Sequence, residues 1–469
     1  MNQNYIITNL LGLKDENLKI IDYSEEENVR KVCVEKEITE HYCPLCHSRM
    51  HSKGITRRNI KHQIFQDGYR LELKLLQRRW KCTNDSCNCC ENDSFSFIGK
   101  HKQTPTLIQF QICKEMKNPN NTAVDIGKMF GMSSVTVTNY FMQFVDCKRL
   151  PLPKILCVDE VFLNIDSNHK YALVLMDFET GNIVDIVISR RKEDTQRYFS
   201  NIPLKERKTV KFLICDMYNP YINYTKNYFY NSVAIVDSFH VISWLNRSIN
   251  NYINQVKKRL QKRDEQLIKQ RNIIIDNPPD SKEVYLLKNY KFFLLKNTDS
   301  IKYYDEMKYN SKLSGYVNTH ILEELFFKID KRFMRIRNLK NIYSDFNSRN
   351  TGKDKDEIKC ELEEIIDIYI KSKDSIFTEF ASLLIKYKQE IINSFFCIEK
   401  EKDGKIKLRR LSNGPIESFN RLPKDLKRTA RGFKNFDYIR NRILWIVRDN
   451  QPMLAVPKTL DEIHPKKDK

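Results

Sequence analysis

Three apolar runs in this chain end in acid. "KILCVDE" carries Ile155, Leu156, Cys157 and Val158 into Asp159 and Glu160, "VKFLICDMY" reaches Asp216, and "SVAIVDSFHV" reaches Asp237. Short apolar runs of this kind read as strands buried on both faces. Carboxylates brought to neighbouring strand ends repel one another and are costly to bury, so they call for a cation. Asp159 and Asp216 are the pair such strands would bring together. Oxygen ligands favour magnesium or manganese, and two such ions can activate a nucleophile and stabilise a leaving oxygen in phosphoryl transfer. A third acid, Glu417, lies far downstream, with Lys424, Lys427, Arg428 and Arg431 close behind it as positive charge suited to phosphates. Glu160 follows Asp159 and so points to the other face of its strand, as a neighbour and not a ligand. Asp237 and His240 read as rim residues with structural hydrogen bonds, and Asp177 as a turn residue.

The cysteines point to a second metal. Cys43 and Cys46 form "CPLC", and Cys82, Cys87, Cys89 and Cys90 crowd "KCTNDSCNCC". Cys43-x2-Cys46 and Cys82-x4-Cys87 match the two knuckles of a zinc ribbon, and four thiolates suit a closed, structural zinc. Cys89 or Cys90 could replace Cys87, and His47 is a more distant alternative. A ribbon needs a hairpin that returns the second knuckle to the first. Asp67-Gly68 is a turn signal, and Leu71, Leu73 and Leu75 alternate with Glu72 and Lys74 as on a half-buried strand. The chain has an odd thirteen cysteines and no basic secretory leader, which predicts reduced thiols in the cytoplasm and no disulfide framework.

Other segments must position these groups. "KILCVDE", "KYALVLMDF" and "NIVDIVISRR" read as three strands, the last two joined by a tight turn at Gly181. A helical segment and the strands ending at Asp216 and Asp237 complete a β-β-β-α-β-α-β order, which predicts a mixed sheet with helices on its faces and functional groups at its strand ends. Residues 121–144 read as two helices around Gly131. Ala123, Ile126, Met129 and Phe130 recur at helical spacing, and Ser133 or Ser134 can cap a second helix with Val135, Val137, Tyr140, Phe141 and Phe144 as its apolar face. This is the pattern of a helix-turn-helix, with Ser134, Thr136 and Asn139 on the side open to a DNA groove. The formal net charge of +21 favours a polyanion, and no apolar run approaches the length of a membrane span.

Together "VDE", "CDMYNPY", "VDSFHV" and "SNGPIESFNRLPKDLKRTARGF" resemble the DDE transposases of bacterial insertion sequences, of the ISL-three family. The resemblance covers most of the chain. Its most specific part is the spacing of Asn413, Glu417 and Asn420 before a basic run and "RGF". It implies an α/β, RNase H-like catalytic core in which Asp159, Asp216 and Glu417 hold two divalent metals, Mg2+ or Mn2+. A largely helical insertion is expected before the last acid, where Ile249, Ile253, Val256 and Leu260 mark one helix face and "ELEEIIDIYIKSKDSIFTEFASLLIKYKQEIINSFF" a second long helical stretch. The expected divisions are 1–100 with the zinc ribbon, 101–150 with the helix-turn-helix, 151–245 as the first part of the core, 246–410 as the insertion and 411–469 as the last part of the core. The resemblance further implies double-stranded DNA as partner, both terminal inverted repeats and target, cleavage and strand transfer by a homodimer, and a bacterial, nucleoid-associated location without a membrane. A domesticated DNA-binding regulator, or a nuclease of the same fold that cuts without joining, is the alternative. Intact acids argue against the regulator.

Overall fold

The computed structural model describes residues 3–13, 15, 17–37, 40–64, 69–100, 102–270, 279–402 and 405–464. The turn expected at Asp67-Gly68 lies outside them. By contacts the chain divides into two compact units, one of Met1–Arg149, Val161–Ala172 and Asn420–Lys469, the other of Leu150–Glu160 and Leu173–Phe419.

In the first unit a short helix α1 (Gln3–Leu10) precedes strands β1 (Leu18–Glu26), β2 (Val29–Lys36), β3 (Met50–Ile64) and β4 (Arg70–Cys82), ordered β1-β2-β4-β3, with β5 (Cys90–Asn92) also paired to β4. The period of two along β4 buries Leu71, Leu73 and Leu75 against Val32, Val34 and Ile60. Antiparallel pairing sets Met50 opposite Cys82, so the β3–β4 hairpin returns one cysteine knuckle to the other.

Three helices follow, α2 (Thr106–Glu115), α3 (Ala123–Phe130) and α4 (Ser134–Phe144). Thr122 and Asp125 form a capping box on α3. Gly131 ends α3 with a φ of +62°, and a side chain on Gly127 would come within 2.6 Å of the Met132 carbonyl oxygen, so the turn needs both glycines. Ser133 caps α4 by accepting the Thr136 N–H. Ile108, Ile112, Ile126, Val137 and Phe141 are buried. Val135, expected on the apolar face, is 65% exposed, because it lies two residues, more than half a helical turn, from Val137. Met129 is also exposed. The helix Phe436–Val447 buries Ile439, Ile443 and Trp445 in this unit, where Trp445 Nε1 donates to the Cys113 carbonyl at 2.8 Å and Tyr438 meets Phe141 edge-on. That burial groups Asn420–Lys469 with this unit.

A second sheet contains β6 (Ile155–Phe162), β7 (Tyr171–Asp177), β8 (Ile183–Val187), β9 (Phe212–Cys215) and β10 (Val233–Val236), in the order β10-β9-β6-β7-β8. β9 runs parallel to β6 and to β10, while β7 and β8 are antiparallel, so the sheet is mixed as expected. At the β7–β8 turn Gly181 has a φ of +76° and Asp177 accepts the Thr180 hydroxyl at 2.7 Å. The helix Ser238–Gln270 starts directly after Asp237 and buries Ile249, Ile253, Val256 and Leu260 along one stripe. The second long helical stretch is three helices, Lys355–Ser372, Ser375–Lys386 and Lys388–Asn393. Lys373 breaks it with a φ of +55°, and Asp374 caps the next helix while taking both arms of Arg332 at 2.6 Å. Two further hairpins pair Lys308–Asn310 with Gly315–Val317 and Cys397–Lys402 with Lys405–Arg410, where the sequence pattern gives only helical segments and loops. Among the described residues no helix is long and apolar enough to cross a membrane.

Candidate active site

Strand register explains how the acids meet. Cys157 pairs with Ile214 across β6 and β9, and Val236 pairs with Cys215 across β10 and β9. Continuing those registers sets Asp159 and Asp237 on either side of Asp216, in a row across three parallel strands. The Asp237 N–H bonded to the Cys215 carbonyl at 3.1 Å extends the ladder in this way. β6 does not stop at the acids but runs on to Phe162, so Asp159 lies inside its strand and is buried. Burial, then the Asp216 carboxylate, raises the Asp159 carboxyl to about 7. Burial also raises Asp237, whose Oδ1 accepts the Phe239 N–H at 3.4 Å at the head of the helix Ser238–Gln270. A carboxylate there also suits the positive end of the helix dipole.

Glu417 reaches this row through Asn413. Asn413 is fully buried, and its Nδ2 donates to the Val158 carbonyl, next to Asp159, at 3.2 Å. One turn later the Glu417 N–H closes on the Asn413 carbonyl at 3.0 Å in the helix Gly414–Phe419. Upstream, Arg410 is fixed by the Ser394 carbonyl and hydroxyl and by the Asn347 side chain, and lies over the Phe395 ring. His240 Nε2 sits 2.8 Å from Asp216 Oδ1 and 3.3 Å from Glu417 Oε1. Burial alone would lower His240, but Asp216 and the other carboxylates outweigh it and raise the imidazole to about 9. Asp237 and His240, read from the sequence as rim residues, thus lie among the acids. Their spacing of three on the first helical turn was the available signal.

The donor set fits a divalent cation. Asp237 Oδ2 is buried without a hydrogen-bond partner among the described residues, Asp216 Oδ1 meets only the His240 imidazole there, and ligand atoms of Asp237, His240 and Glu417 lie within 4.8 Å of one another. Glu160 is engaged elsewhere, taking Arg190 at 2.5 Å and the Tyr221 hydroxyl at 2.8 Å.

In the first unit Cys43, Cys46, Cys82 and Cys87 place four sulfurs within 4.8 Å of one another, a set that could bind zinc. The Cys43 and Cys87 sulfurs are 3.7 Å apart and those of Cys46 and Cys82 are 3.4 Å apart. Hydrogen bonds from Ser48 lower the Cys46 thiol to about 6, toward the thiolate a metal requires. Cys90 is exposed on β5, and Cys89 packs beside the cluster.

Of the residues expected to meet DNA, Ser134 opens α4 and Thr136 bonds the Ser133 hydroxyl at 2.9 Å. Asn139 Oδ1 lies 3.0 Å from His464 Nε2. Lys424 and Arg431 are exposed, Arg428 pairs with Asp425 at 3.2 Å, and Lys427 lies 3.9 Å above the Phe162 ring.

Fold and site define an α/β protein with a clustered set of acids on a mixed sheet, joined in one chain to a four-cysteine unit. A family model described as transposase, that of the ISL-three DDE enzymes, matches residues 156–443, more than half of the chain and all five acid-site residues. The chain belongs to the ISL-three family of DDE transposases, enzymes that act on DNA. No curated protein matches it.

Proposed function

We propose that this transposase binds the terminal inverted repeats of its own insertion sequence, hydrolyses a phosphodiester at each end and joins the freed 3′ hydroxyl to target DNA. The observation that carries this reading is the row of Asp159 and Asp216 on adjacent parallel strands, with Glu417 tied to the same place through Asn413. The sheet order supports an RNase H-like core. Asp159, Asp216 and Glu417 would hold Mg2+ or Mn2+, with Asp237 and His240 beside them. A bound divalent ion supplies charge stabilisation and an activated nucleophile. In the first step water attacks phosphorus and the bond to the 3′ oxygen breaks. In the second that 3′ hydroxyl attacks a target phosphate, gives up its proton and displaces the target's own 3′ oxygen, which leaves as a new 3′ hydroxyl. The helix pair, through Ser134, Thr136 and Asn139, and the basic residues Lys424, Lys427, Arg428 and Arg431 would position the duplex. A homodimer would hold two ends together.

The test is cleavage of a labelled element end in magnesium, in manganese, and in calcium as a non-catalytic control. Asp159→Asn should fold and bind end DNA, yet lose strand cleavage by orders of magnitude. Asp216→Asn and Glu417→Gln should match it, and double variants should be little worse than single ones, because the three act as a unit. Full cleavage by Glu417→Gln, with complete loss in Asp237→Asn, would give the third ligand position to Asp237.

A further inference from the structure

A cavity of about 270 Å³ opens beside the acids. It begins at Asp216 and His240 and continues past Tyr218, Trp244, Arg190 and Arg247. Its wall is preorganised. Trp244 is stacked on Phe380 at 5.8 Å between ring centres, which holds the indole in place. Tyr218 stands edge-on against Tyr221 at 5.0 Å and is 43% exposed. The Arg190 guanidinium lies 5.7 Å from the Tyr218 ring and is fixed by Glu160, whose charge it offsets. Arg247 is exposed at the mouth.

Aromatic faces beside arginines recognise a planar base and its phosphate together. The volume is of the order of a single nucleotide. Nothing in the cleavage chemistry uses Tyr218, Trp244 or Arg247. The cavity is continuous with the acids, so a strand whose phosphate lies at Asp216 carries its next nucleotide to this wall.

We propose that this cavity is a subsite for an unpaired nucleotide next to the phosphate being cut, with its base on Tyr218 and Trp244 and its phosphate on Arg190 and Arg247. The inference rests on the proposed cleavage reading for its setting, but its test does not require cleavage. A single-stranded oligothymidylate of twelve residues carrying one 5-iodouracil is bound to the full chain in calcium and irradiated. Cross-linked peptides are then identified by mass spectrometry. The expected product joins the probe to Tyr218 or Trp244. Tyr218→Ala should lower this yield about tenfold, Tyr218→Phe should retain it, and Arg247→Glu at the exposed mouth should lower it without unfolding the chain. Thermal melting of each variant separates a lost contact from a lost fold. Cross-links confined to residues outside the cavity, or an undiminished yield in folded Tyr218→Ala, would overturn the subsite. If wild-type protein still cleaved in magnesium in that case, the transposase chemistry would stand alone. A retained cross-link without cleavage would remove the chemistry and keep the subsite.

Discussion

The four clustered cysteines all lie between residues 43 and 87, and a single hairpin assembles them. The acids lie at 159, 216, 237 and 417, and need three parallel strands, a helix start and a return of the chain after about 180 further residues, between 237 and 417. The cysteine cluster is closed, with as many ligands as zinc accepts. The acid cluster is polar, partly exposed and bridged by His240. A local, closed set suits a metal that holds structure. A dispersed, open set suits a metal that must also meet a substrate.

The sharpest way to break this comparison is to remove one sulfur. Cys43→Ser should reduce the zinc content from about one per chain to none and unfold the N-terminal sheet while the second unit stays folded. Freshly prepared, unchelated protein without zinc would show that the cysteine cluster is not a metal site. Next in size is Asn413→Ala, which cuts the tie between Glu417 and β6 but leaves every acid in place. Cleavage should fall roughly 10- to 100-fold, with a stability loss of about 1–2 kcal/mol in denaturant titration. Unchanged cleavage would mean that the helix Gly414–Phe419 is positioned by other contacts.

A third experiment uses His62 on β3, buried with neither ring nitrogen hydrogen-bonded among the described residues. Burial lowers its imidazole from the ordinary 6.5 to about 4. Between those values the unfolded chain binds a proton that the folded chain does not, so stability falls as pH drops from 6.5 toward 4, by ~3 kcal/mol in all. His62→Leu should flatten this part of the melting profile. A parallel profile in the variant would assign the acid sensitivity to other groups, the cysteine cluster included. The smallest effect is expected at α4. Asn139→Ala should weaken discrimination between end DNA and random DNA several-fold, with little change in total binding. Full sequence preference in a competition assay would take the reading role away from this helix face.

Legibility in the sequence followed the same divide. The knuckles, the β4 alternation and the stripe at Ile249, Ile253, Val256 and Leu260 were readable because each depends on neighbours a few residues apart. Asp159, Asp216 and Glu417 were singled out, yet what draws them together was not visible. Parallel register places Asp237 beside Asp216, and no local pattern encodes register between strands. Asn413 was recognised only as part of a spacing, whereas its role is a hydrogen bond across 255 residues of chain. Val135 was misplaced because five apolar residues on an eleven-residue helix over-filled one stripe. The break at Lys373 was missed because a lysine in the left-handed region carries no sequence signal, unlike a glycine there.

The helix Ser238–Gln270 has a mechanical consequence. Its 33 residues make a rod of about 50 Å, with Asp237 and His240 at one end and later helices, among them Arg332–Arg349 and Ser375–Lys386, packed along it. A rod transmits tilt. A load on the helices packed along it would register as a change of aim at the carboxylate row, and a softer packing there would detune the acids without touching any of them.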